Sequence, residues 1–343
     1  MRSSITRAAA AVALAGAAAR WMVGPRYRPG PRDGSLRHLV DAGRAGLPEG
    51  AEGLNVVSWN IAWAYGWGSE GNGPKKDPAA LDATLKAMGE RLRALDADVV
   101  PLQEVDWGCA RSGRVDQGER LARAAGYPYM APVVGWEVGY LPFPGLNPSG
   151  HWGRMVSGGA ILSRLPLRRH RVHLLPKPAG NNPVYNAFYI GRYLQLVEVT
   201  TPWGPIDVGN LHLDAFDGQN RAVQASIICG ILQEAAPRWI LAGDFNTVPP
   251  EASLVRAFPD EPDTDFSGDP TLPSFRDLPG AVEIVGEGPE ADQLTFPAHA
   301  PNRRLDHAFC RGLSPSPCRR VAEAGALSDH LPIVFSVRAP SSD

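Results

Sequence analysis

Short apolar runs recur along the chain, and several of them end in a polar or charged residue. Each is rich in Val, Ile and Leu and is bounded by turn-forming residues, as is typical of buried strands. The predicted strands cover residues 54–60, 97–104, 157–163, 193–199, 206–214, 238–244 and 304–310, and a closing strand ends at 337. Their polar ends are the first candidates for chemistry.

Helical periodicity separates some of these strands. Asp77 followed by Pro78 predicts a helix start, because Asp caps the first turn and Pro is tolerated there. The next apolar positions recur at spacings of four and three, as on a buried helix face: Leu81, Leu85, Met88, Leu92 and Leu95. A second helix is predicted over 117–125. A third opens near Arg221 and Gln224, with a buried stripe of Val223, Ile227 and Ile231.

The connections between these elements differ in composition. Gly158 and Gly159 begin one strand as a pair, which indicates close approach of another backbone. Residues 251–292 are rich in Pro, Asp and Gly and predict a surface excursion with short helices at most. Two aromatic loops either line a substrate mouth or cap the core, and both interpretations stay open. They contain Trp63, Tyr65 and Trp67, and Trp136, Tyr140, Phe143 and Trp152.

Length and charge narrow the class of protein. At 343 residues the chain forms one large domain or two modest ones. Its 34 Lys and Arg residues are balanced by 36 Asp and Glu residues, so the sequence predicts no strong basic surface for duplex DNA. The four cysteines show no spacing typical of a structural zinc site. A disulfide between Cys310 and Cys318 remains open, although reduced thiols are favoured.

The amino terminus suggests a targeting segment. Residues 1–23 combine early arginines with an uncharged, Ala-rich run, and we predict an export signal or anchor that could contact a membrane. The protein would then be periplasmic, secreted or membrane-anchored; the alternative is an unprocessed tail, which leaves a cytoplasmic location open. Residues 24–53 are predicted to form a linker with one short helix over 36–45.

Candidate chemistry lies at the predicted strand ends. Gly243 allows the chain to turn, so that Asp244 and Asn246 emerge together, although Asp and Asn also end strands as ordinary turn residues. Glu104 ends an apolar run, where a carboxylate is costly unless a cation meets it. Asn60 ends another strand and is a candidate metal or phosphate contact, with a turn asparagine as the alternative.

Three further groups of polar residues complete the candidate set. Asn210, His212 and Asp214 alternate onto one strand face, which is therefore expected to line a cleft. Asp306 is set among apolar neighbours. Asp329 and His330 precede the closing strand.

Taken in order, these motifs resemble those of the endonuclease/exonuclease/phosphatase superfamily, which has a deoxyribonuclease-I-like fold. The matching motifs are Trp59-Asn60, Gln103-Glu104, Asn210-Leu-His212, Gly243-Asp244-Phe-Asn246, Arg304-Leu-Asp306-His and Ser328-Asp329-His330-Leu-Pro-Ile. The resemblance implies an α/β fold, a four-layer α/β/β/α sandwich with two packed, mostly antiparallel sheets. A single catalytic domain is expected over 54–338.

The resemblance also implies roles for individual residues. Glu104 would be the principal Mg²⁺ ligand with Asn60 beside it, Asp329 would serve a second metal or support position, and Mn²⁺ could substitute. Asp244 would orient or deprotonate the attacking water. The remaining residues would contact water or phosphate, or orient a ring: Asn246, His212, His330 and, behind His330, Asp306.

One departure concerns the substrate. Abasic-site endonucleases of the superfamily carry Tyr in the motif where this chain has His212, so the motif is nearer to the sphingomyelinase-like, inositol-phosphatase-like and deadenylase-like branches. We therefore predict a Mg²⁺-dependent phosphodiesterase that hydrolyses a phosphate ester, either lipid-like, small organic or nucleic acid. The alternatives are a secreted nuclease acting on DNA or RNA and a catalytically silent phosphate-binding module.

Overall fold

The computed structural model describes residues 16–17, 20–43, 45–47, 49–67, 77–145 and 147–339. The helices in this part of the chain are α1 (Pro78–Ala94), α2 (Gln117–Ala125), α3 (Pro183–Phe188), α4 (Gly218–Gln233) and α5 (Thr271–Arg276). The strands are β1 (Gly30–Asp33), β2 (Arg37–His38), β3 (Gly53–Asn60), β4 (Val99–Asp106), β5 (Tyr129–Leu141), β6 (Gly153–Ser163), β7 (Leu167–Leu174), β8 (Tyr193–Thr201), β9 (Gly204–His212), β10 (Trp239–Asp244), β11 (Ala281–Glu283), β12 (Asp306–Arg311), β13 (Ser314–Pro315), β14 (Arg319–Arg320) and β15 (Ile333–Arg338).

The strands form two sheets that pack face to face. One has the order β1-β7-β8-β9-β10-β12-β11, and the other has the order β13-β15-β3-β4-β6-β5-β2, with β14 also beside β15. Among the described pairs only β9 with β10 and β3 with β4 are parallel. Val56 and Val99 from one sheet share a buried apolar cluster with Val208 and Ile240 from the other. The predicted pair of packed, mostly antiparallel sheets is confirmed.

Helices cover the outer face of each sheet. Leu85 of α1 and Leu121 of α2 share a core cluster with Leu102 of β4. Ile228 of α4 packs in another cluster with Leu241 of β10. These two helical layers complete the predicted four-layer α/β/β/α sandwich.

The three longer helices follow the predicted pattern with one correction. Asp77 caps α1 by accepting a hydrogen bond from the backbone N–H of Ala79, and α2 has the predicted bounds. In α4 the predicted stripe is wrong, because Val223 is 51% exposed and Ile227 is 41% exposed. The buried face is one position further along and includes Gln224, Ala225, Ile228 and Leu232.

Two predictions about other segments are also wrong. The helix predicted over 36–45 is absent from the described residues of that stretch, where Arg37–His38 instead pairs with β5. The loop predicted around Trp136 is largely strand β5, which pairs with β6. Most of the predicted export segment lies outside the described residues. No helix within the described ranges is long and apolar enough to cross a bilayer.

Other sequence features have clear structural outcomes. A Cβ atom at Gly158 would lie 2.1 Å from Val133 O, so the glycine pair does mark close backbone approach. Residues 251–292 contain only the short elements α5 and β11 and one 3-10 turn in regular structure. Cys310 and Cys318 are free thiols in the structure.

Candidate active site

Strand register brings the predicted residues to one edge of the sandwich. Asp244 at the end of β10 lies level with His212 in β9 and with Asp306 in β12. In the facing sheet, Asn60 at the end of β3 lies level with Gln103, next to Glu104. Residues far apart in the sequence therefore meet where the strands end.

These strand ends open into a cleft of about 690 Å³. The predicted residues that line it are Glu104, His212, Asp244, Asn246, Asp329 and His330. Asn60 and Asp306 are buried behind this surface and bond to its members. All eight predicted site residues thus belong to one assembly.

Gly243 is required by close packing between two strands. A Cβ atom at this position would lie 2.1 Å from Leu211 O in the neighbouring strand β9, well inside contact distance. The missing side chain lets β10 and β9 remain paired up to Asp244. Gly243 therefore does not turn the chain, as its sequence context suggested, but keeps the two strand ends level.

Two site residues have left-handed backbone conformations. Glu104 has a φ of 56° and lies where the register of β4 shifts between Gln103 and Val105. Such a bulge re-aims a side chain, and here it places Glu104 in the cleft. Asn246 has a φ of 51°, and its backbone N–H donates to Asp244 Oδ1 at 2.9 Å. Strained backbone of this kind persists only where its surroundings enforce it.

Asn60 connects the two sheets at the site. Its Nδ2 donates to Glu104 Oε1 at 3.2 Å and to Asp244 Oδ2 at 3.0 Å. Its Oδ1 accepts a hydrogen bond from the backbone N–H of Ala62 at 3.0 Å. The predicted ligand role would require this oxygen, whereas in the structure Asn60 acts as a hydrogen-bond donor to the carboxylates.

His330 is held by an acidic partner and by backbone contacts. Its Nδ1 lies 2.9 Å from Asp306 Oδ2, and its Nε2 lies 3.7 Å from Asp244 Oδ2. Burial by itself lowers the pKa of His330, but the charges of Asp306 and Asp244 outweigh burial and raise the pKa to about 10. Ser328 Oγ donates to Asn60 O at 2.7 Å and accepts from the His330 N–H at 3.2 Å. These contacts hold the ring in place and favour its protonated form.

Three carboxylates in the lining of the cleft have raised pKa values. Burial and then the charge of Asp329 raise the pKa of Glu104 to about 7, and burial raises the pKa of Asp244 to about 6. The pKa of Asp329 is also raised, mainly by burial. Crowded, buried carboxylates are costly as anions, and a divalent cation would relieve that cost.

The donor set fits a hard cation. It offers carboxylate oxygens without a thiolate, which suits Mg²⁺ or Mn²⁺ better than zinc. Donor atoms of Asp244, Asp306 and His330 lie within 4.8 Å of one another, and Asp306 Oδ1 is buried without a hydrogen-bond partner in the structure. The carboxylates of this acidic and histidine cluster could hold a metal ion, whereas a protonated His330 could not act as a ligand.

Arg192 is a site residue that sequence reasoning missed. It is buried, lines the cleft, and its Nη1 lies 2.5 Å from His212 Nε2. Burial and then the charge of Arg192 lower the pKa of His212 well below its usual value, so His212 is neutral and accepts through Nε2. In the sequence Arg192 is a single arginine before an apolar strand, and nothing in this pattern indicates that it lies in the site.

Other polar and aromatic candidates are buried structural residues. Asn210 shares the face of His212 but is fully buried between the sheets, where its Nδ2 donates to Leu102 O at 2.8 Å. Trp136 and Trp152 are buried and surround the side chain of Arg111. Of the aromatic residues proposed for a substrate mouth, Trp63 alone lines the main cleft.

Comparisons with known proteins agree with this geometry. The model of the Endonuclease/Exonuclease/phosphatase family matches residues 57–330. A similar solved structure is an endonuclease/exonuclease/phosphatase from Beutenbergia cavernae, with 21% identity and a TM-score of 0.57, covering 84% of this chain and 72% of that one. No curated protein matches the sequence.

Two further solved structures share the fold. D. rerio TDP2 complexed with single strand DNA product has 17% identity and a TM-score of 0.53, covering 84% of this chain and 100% of that one. A mannosyl-6-phosphatase from Bacteroides thetaiotaomicron has 18% identity and a TM-score of 0.53, with 83% and 99% covered. Since the family model spans most of its length, the chain belongs to the endonuclease/exonuclease/phosphatase family, whose members are hydrolases of phosphate esters.

Proposed function

We propose that this protein is a Mg²⁺-dependent phosphodiesterase that hydrolyses its substrate by in-line attack of water. The observation that carries the proposal is the meeting of Glu104, Asp244 and the Asp306–His330 pair at one open cleft. A binding module would need cations to hold phosphate but would not need a buried carboxylate beside them. The silent-module alternative is therefore disfavoured.

In this proposal Asp244 accepts a proton from water. Its Oδ1 is fixed by the N–H of Asn246 and its Oδ2 by Nδ2 of Asn60. Oδ2 also lies 3.5 Å from His212 Nε2 and 3.7 Å from His330 Nε2. A carboxylate fixed at the cleft floor in this way can orient a water molecule and remove its proton as the oxygen attacks phosphorus.

Cationic groups surround the position expected for phosphate. His330 lines the cleft, and the neighbouring carboxylates raise its pKa, so that in its protonated form its Nε2–H can be donated to a phosphate oxygen. Arg192 adds a permanent positive charge to the same lining. These donors stabilise the charge that develops on the phosphoryl oxygens in the transition state.

Glu104 and Asp329 are the residues that would hold the metal, with Asn60 contributing if its amide presents the oxygen. When bound, Mg²⁺ neutralises phosphate oxygens and stabilises the leaving oxygen. The chain's own residues do the rest: Asp244 orients the water, and Asp306 keeps the proton on His330.

The charge of the cleft wall favours a compact ester over nucleic acid. Glu261, Asp263 and Asp265 are exposed and line the same cleft. Glu261 is paired with Arg303 at 2.9 Å, which also removes that cation from phosphate binding. A polynucleotide carries a phosphate at every residue and would be repelled along this wall.

Hydrolysis of bis(p-nitrophenyl) phosphate tests the proposal. We expect activity with Mg²⁺ or Mn²⁺, loss of activity in excess chelator, and a fall of about 10²-fold or more in Asp244→Ala and His330→Ala. Asp82→Ala is the matched control, because this exposed carboxylate lies on α1 and pairs with Arg120. Full activity in chelator would contradict the metal mechanism. A panel of sphingomyelin, inositol phosphates, RNA, and single-stranded and duplex DNA then identifies the ester.

A further inference from the structure

Phe216 lies on the rim of the cleft with most of its ring in solvent. Its side chain is 77% exposed, and it contributes to the cleft lining together with Ala215 and Gly218. The turn that carries it joins β9 to α4, shortly after His212. Single exposed aromatic side chains are common on protein surfaces, so the meaning of this one depends on what holds it.

The buried carboxylate of Asp214 fixes this turn. Its Oδ1 accepts hydrogen bonds from the backbone N–H groups of Phe216 at 3.0 Å and Asp217 at 3.1 Å, and from the Tyr189 hydroxyl at 2.8 Å. The Asp214 N–H donates to Gln224 Oε1 at 2.9 Å. The backbone that carries Phe216 is thus fixed before any ligand arrives, which lowers the entropic cost of binding.

Tyr189 supports the ring of Phe216 from the side. The two ring centroids are 6.3 Å apart with an interplanar angle of 77°, an edge-to-face contact. Tyr189 itself is buried, whereas its neighbour Tyr185 is 56% exposed and lies 5.7 Å from it between centroids. The ring of Phe216 is therefore backed by an aromatic cluster that extends through the buried Tyr189 to Tyr185 on helix α3.

The size of the cleft indicates that the substrate has a sizeable organic group. Its volume of about 690 Å³ falls within the range of roughly 300–1,000 Å³ that is typical of sites for small organic ligands. A phosphate group bound near His330 and Arg192 would leave most of this space for the rest of the molecule. Phe216 lies on the border of that space.

We propose that Phe216 is a specificity-determining residue that stacks against a planar, unsaturated ring in the organic group of the phosphate ester. The proposal rests on the proposed function and names its substrate class, which is a ring-bearing ester such as an aryl or nucleoside phosphodiester. Asp214 is a positioning residue for this contact, because it touches the turn and not the substrate.

Binding of three phosphonates tests the proposal without any turnover. Phenylphosphonate, cyclohexylphosphonate and methylphosphonate, titrated at a pH at which all three are dianions, present the same head group with a planar ring, a non-planar ring or no ring. Calorimetric titration of the full chain in the presence of Mg²⁺ gives their affinities. The variants are Phe216→Leu, which keeps apolar area but loses the ring, and Phe216→Tyr, which keeps the ring. Val223→Ala is the control, since Val223 is exposed on α4 and does not line the cleft.

We expect the wild type to bind phenylphosphonate about tenfold more tightly than cyclohexylphosphonate, as stacking on an aromatic side chain predicts. Phe216→Leu should bring that ratio close to one, while Phe216→Tyr and Val223→Ala should keep it. A wild-type ratio near one, a ratio that survives in Phe216→Leu, or no binding of any phosphonate would overturn the proposal.

The outcomes also separate this inference from the proposed function. Metal-dependent hydrolysis with no preference for the planar ring removes the inference alone. A ring preference that depends on Phe216, without hydrolysis of any ester, removes the phosphodiesterase and leaves the binding surface.

Discussion

His330 Nδ1 lies 2.9 Å from Asp306 Oδ2, and both groups are buried. The contact joins β12 to the segment that leads into β15, and so it joins the two sheets at the site. The Asp306 carboxylate determines which ring nitrogen faces it and leaves Nε2 for the cleft. Its charge is also the largest influence that raises the pKa of the buried imidazole.

Asp306→Asn should therefore weaken catalysis while the fold persists. Loss of the carboxylate charge removes the strongest influence that raises the pKa of His330, and the phosphate would meet a neutral ring. We expect kcat to fall by about 10- to 100-fold, the range found when the hydrogen-bond partner of a metal-ligating histidine is removed. Asp82→Asn serves as the control for a surface carboxylate. Unchanged kcat in Asp306→Asn would contradict the assigned role.

The same pair predicts a pH dependence of stability in metal-free protein. The pKa of His330 is about 10 when folded, against about 6.5 for an ordinary histidine. Its stabilising contribution is complete below about pH 6.5 and is lost as the pH rises towards 10. Urea unfolding should show that the free energy of unfolding declines between these pH limits, and this decline should be shallower in Asp306→Asn. Equal slopes in both proteins would disprove the coupling.

Gly243→Ala should disrupt the pairing of β9 and β10. Its Cβ would lie 2.1 Å from Leu211 O, which belongs to a backbone that cannot move without breaking the ladder. We expect a loss of roughly 1–3 kcal/mol in the free energy of unfolding, as for other overpacked positions. Gly230→Ala is the matched control, because its Cβ meets nothing within 4 Å on helix α4, and Ala should stabilise it by about 0.5–1 kcal/mol. Urea unfolding of both variants checks the opposite signs.

Much of the site could be predicted because its residues follow a simple rule. Apolar runs ended at Asn60, Glu104 and Asp244, and strands that end at one edge of a sandwich bring their last side chains together. The helices that cover the sheets were equally predictable where one face of the helix was clearly apolar, as in α1.

The failures have specific physical causes. In α4, Ile227 and Ile228 are adjacent, so helical periodicity fits either face, and only packing against β10 decides that Ile228 is buried. Strand β5 contains Pro132, Gly135 and Gly139, residues that are typical of a loop. Gly135 and Gly139 lie where the register with β6 shifts, whereas Pro132 pairs regularly with Ala160. Arg192 and Phe216 become functional candidates only through tertiary contacts. The residues next to them in the sequence form no motif that would identify them.

Substitution of Arg111, which lies away from the cleft floor, should strongly lower the free energy of unfolding. Its guanidinium group forms a fully buried ion pair with Asp106 at 2.8 Å and lies 3.8 Å from the ring centroid of Trp63. Arg111→Met should cost about 3–5 kcal/mol, because it leaves a buried carboxylate without a partner. Arg120→Met breaks an exposed pair with Asp82 and should cost less than about 1 kcal/mol.

Removing both charges distinguishes the ion pair from simple packing. Arg111→Met combined with Asp106→Leu should recover part of the lost unfolding free energy, since no buried charge then remains. Chemical denaturation of the wild type, Arg111→Met, Arg120→Met and the double variant measures their free energies of unfolding. A double variant that is no more stable than Arg111→Met would show that packing around Trp63 dominates instead.

Glu283 should make the protein sensitive to acid. Burial alone would raise its pKa, but hydrogen bonding with His307 and the guanidinium groups of Arg276 and Arg304 lower it to about 2. A carboxyl group with a depressed folded pKa stabilises fully above its unfolded pKa of about 4.3, and that contribution is lost as the pH falls towards 2. Glu283→Gln should therefore lower the free energy of unfolding by about 2–3 kcal/mol at neutral pH, and the difference from wild type should shrink between about pH 4.5 and pH 2. Glu323→Gln, at an exposed carboxylate, should change little at any pH. A deficit in Glu283→Gln that stays constant down to pH 2 would mean that shape, and not charge, explains its contribution.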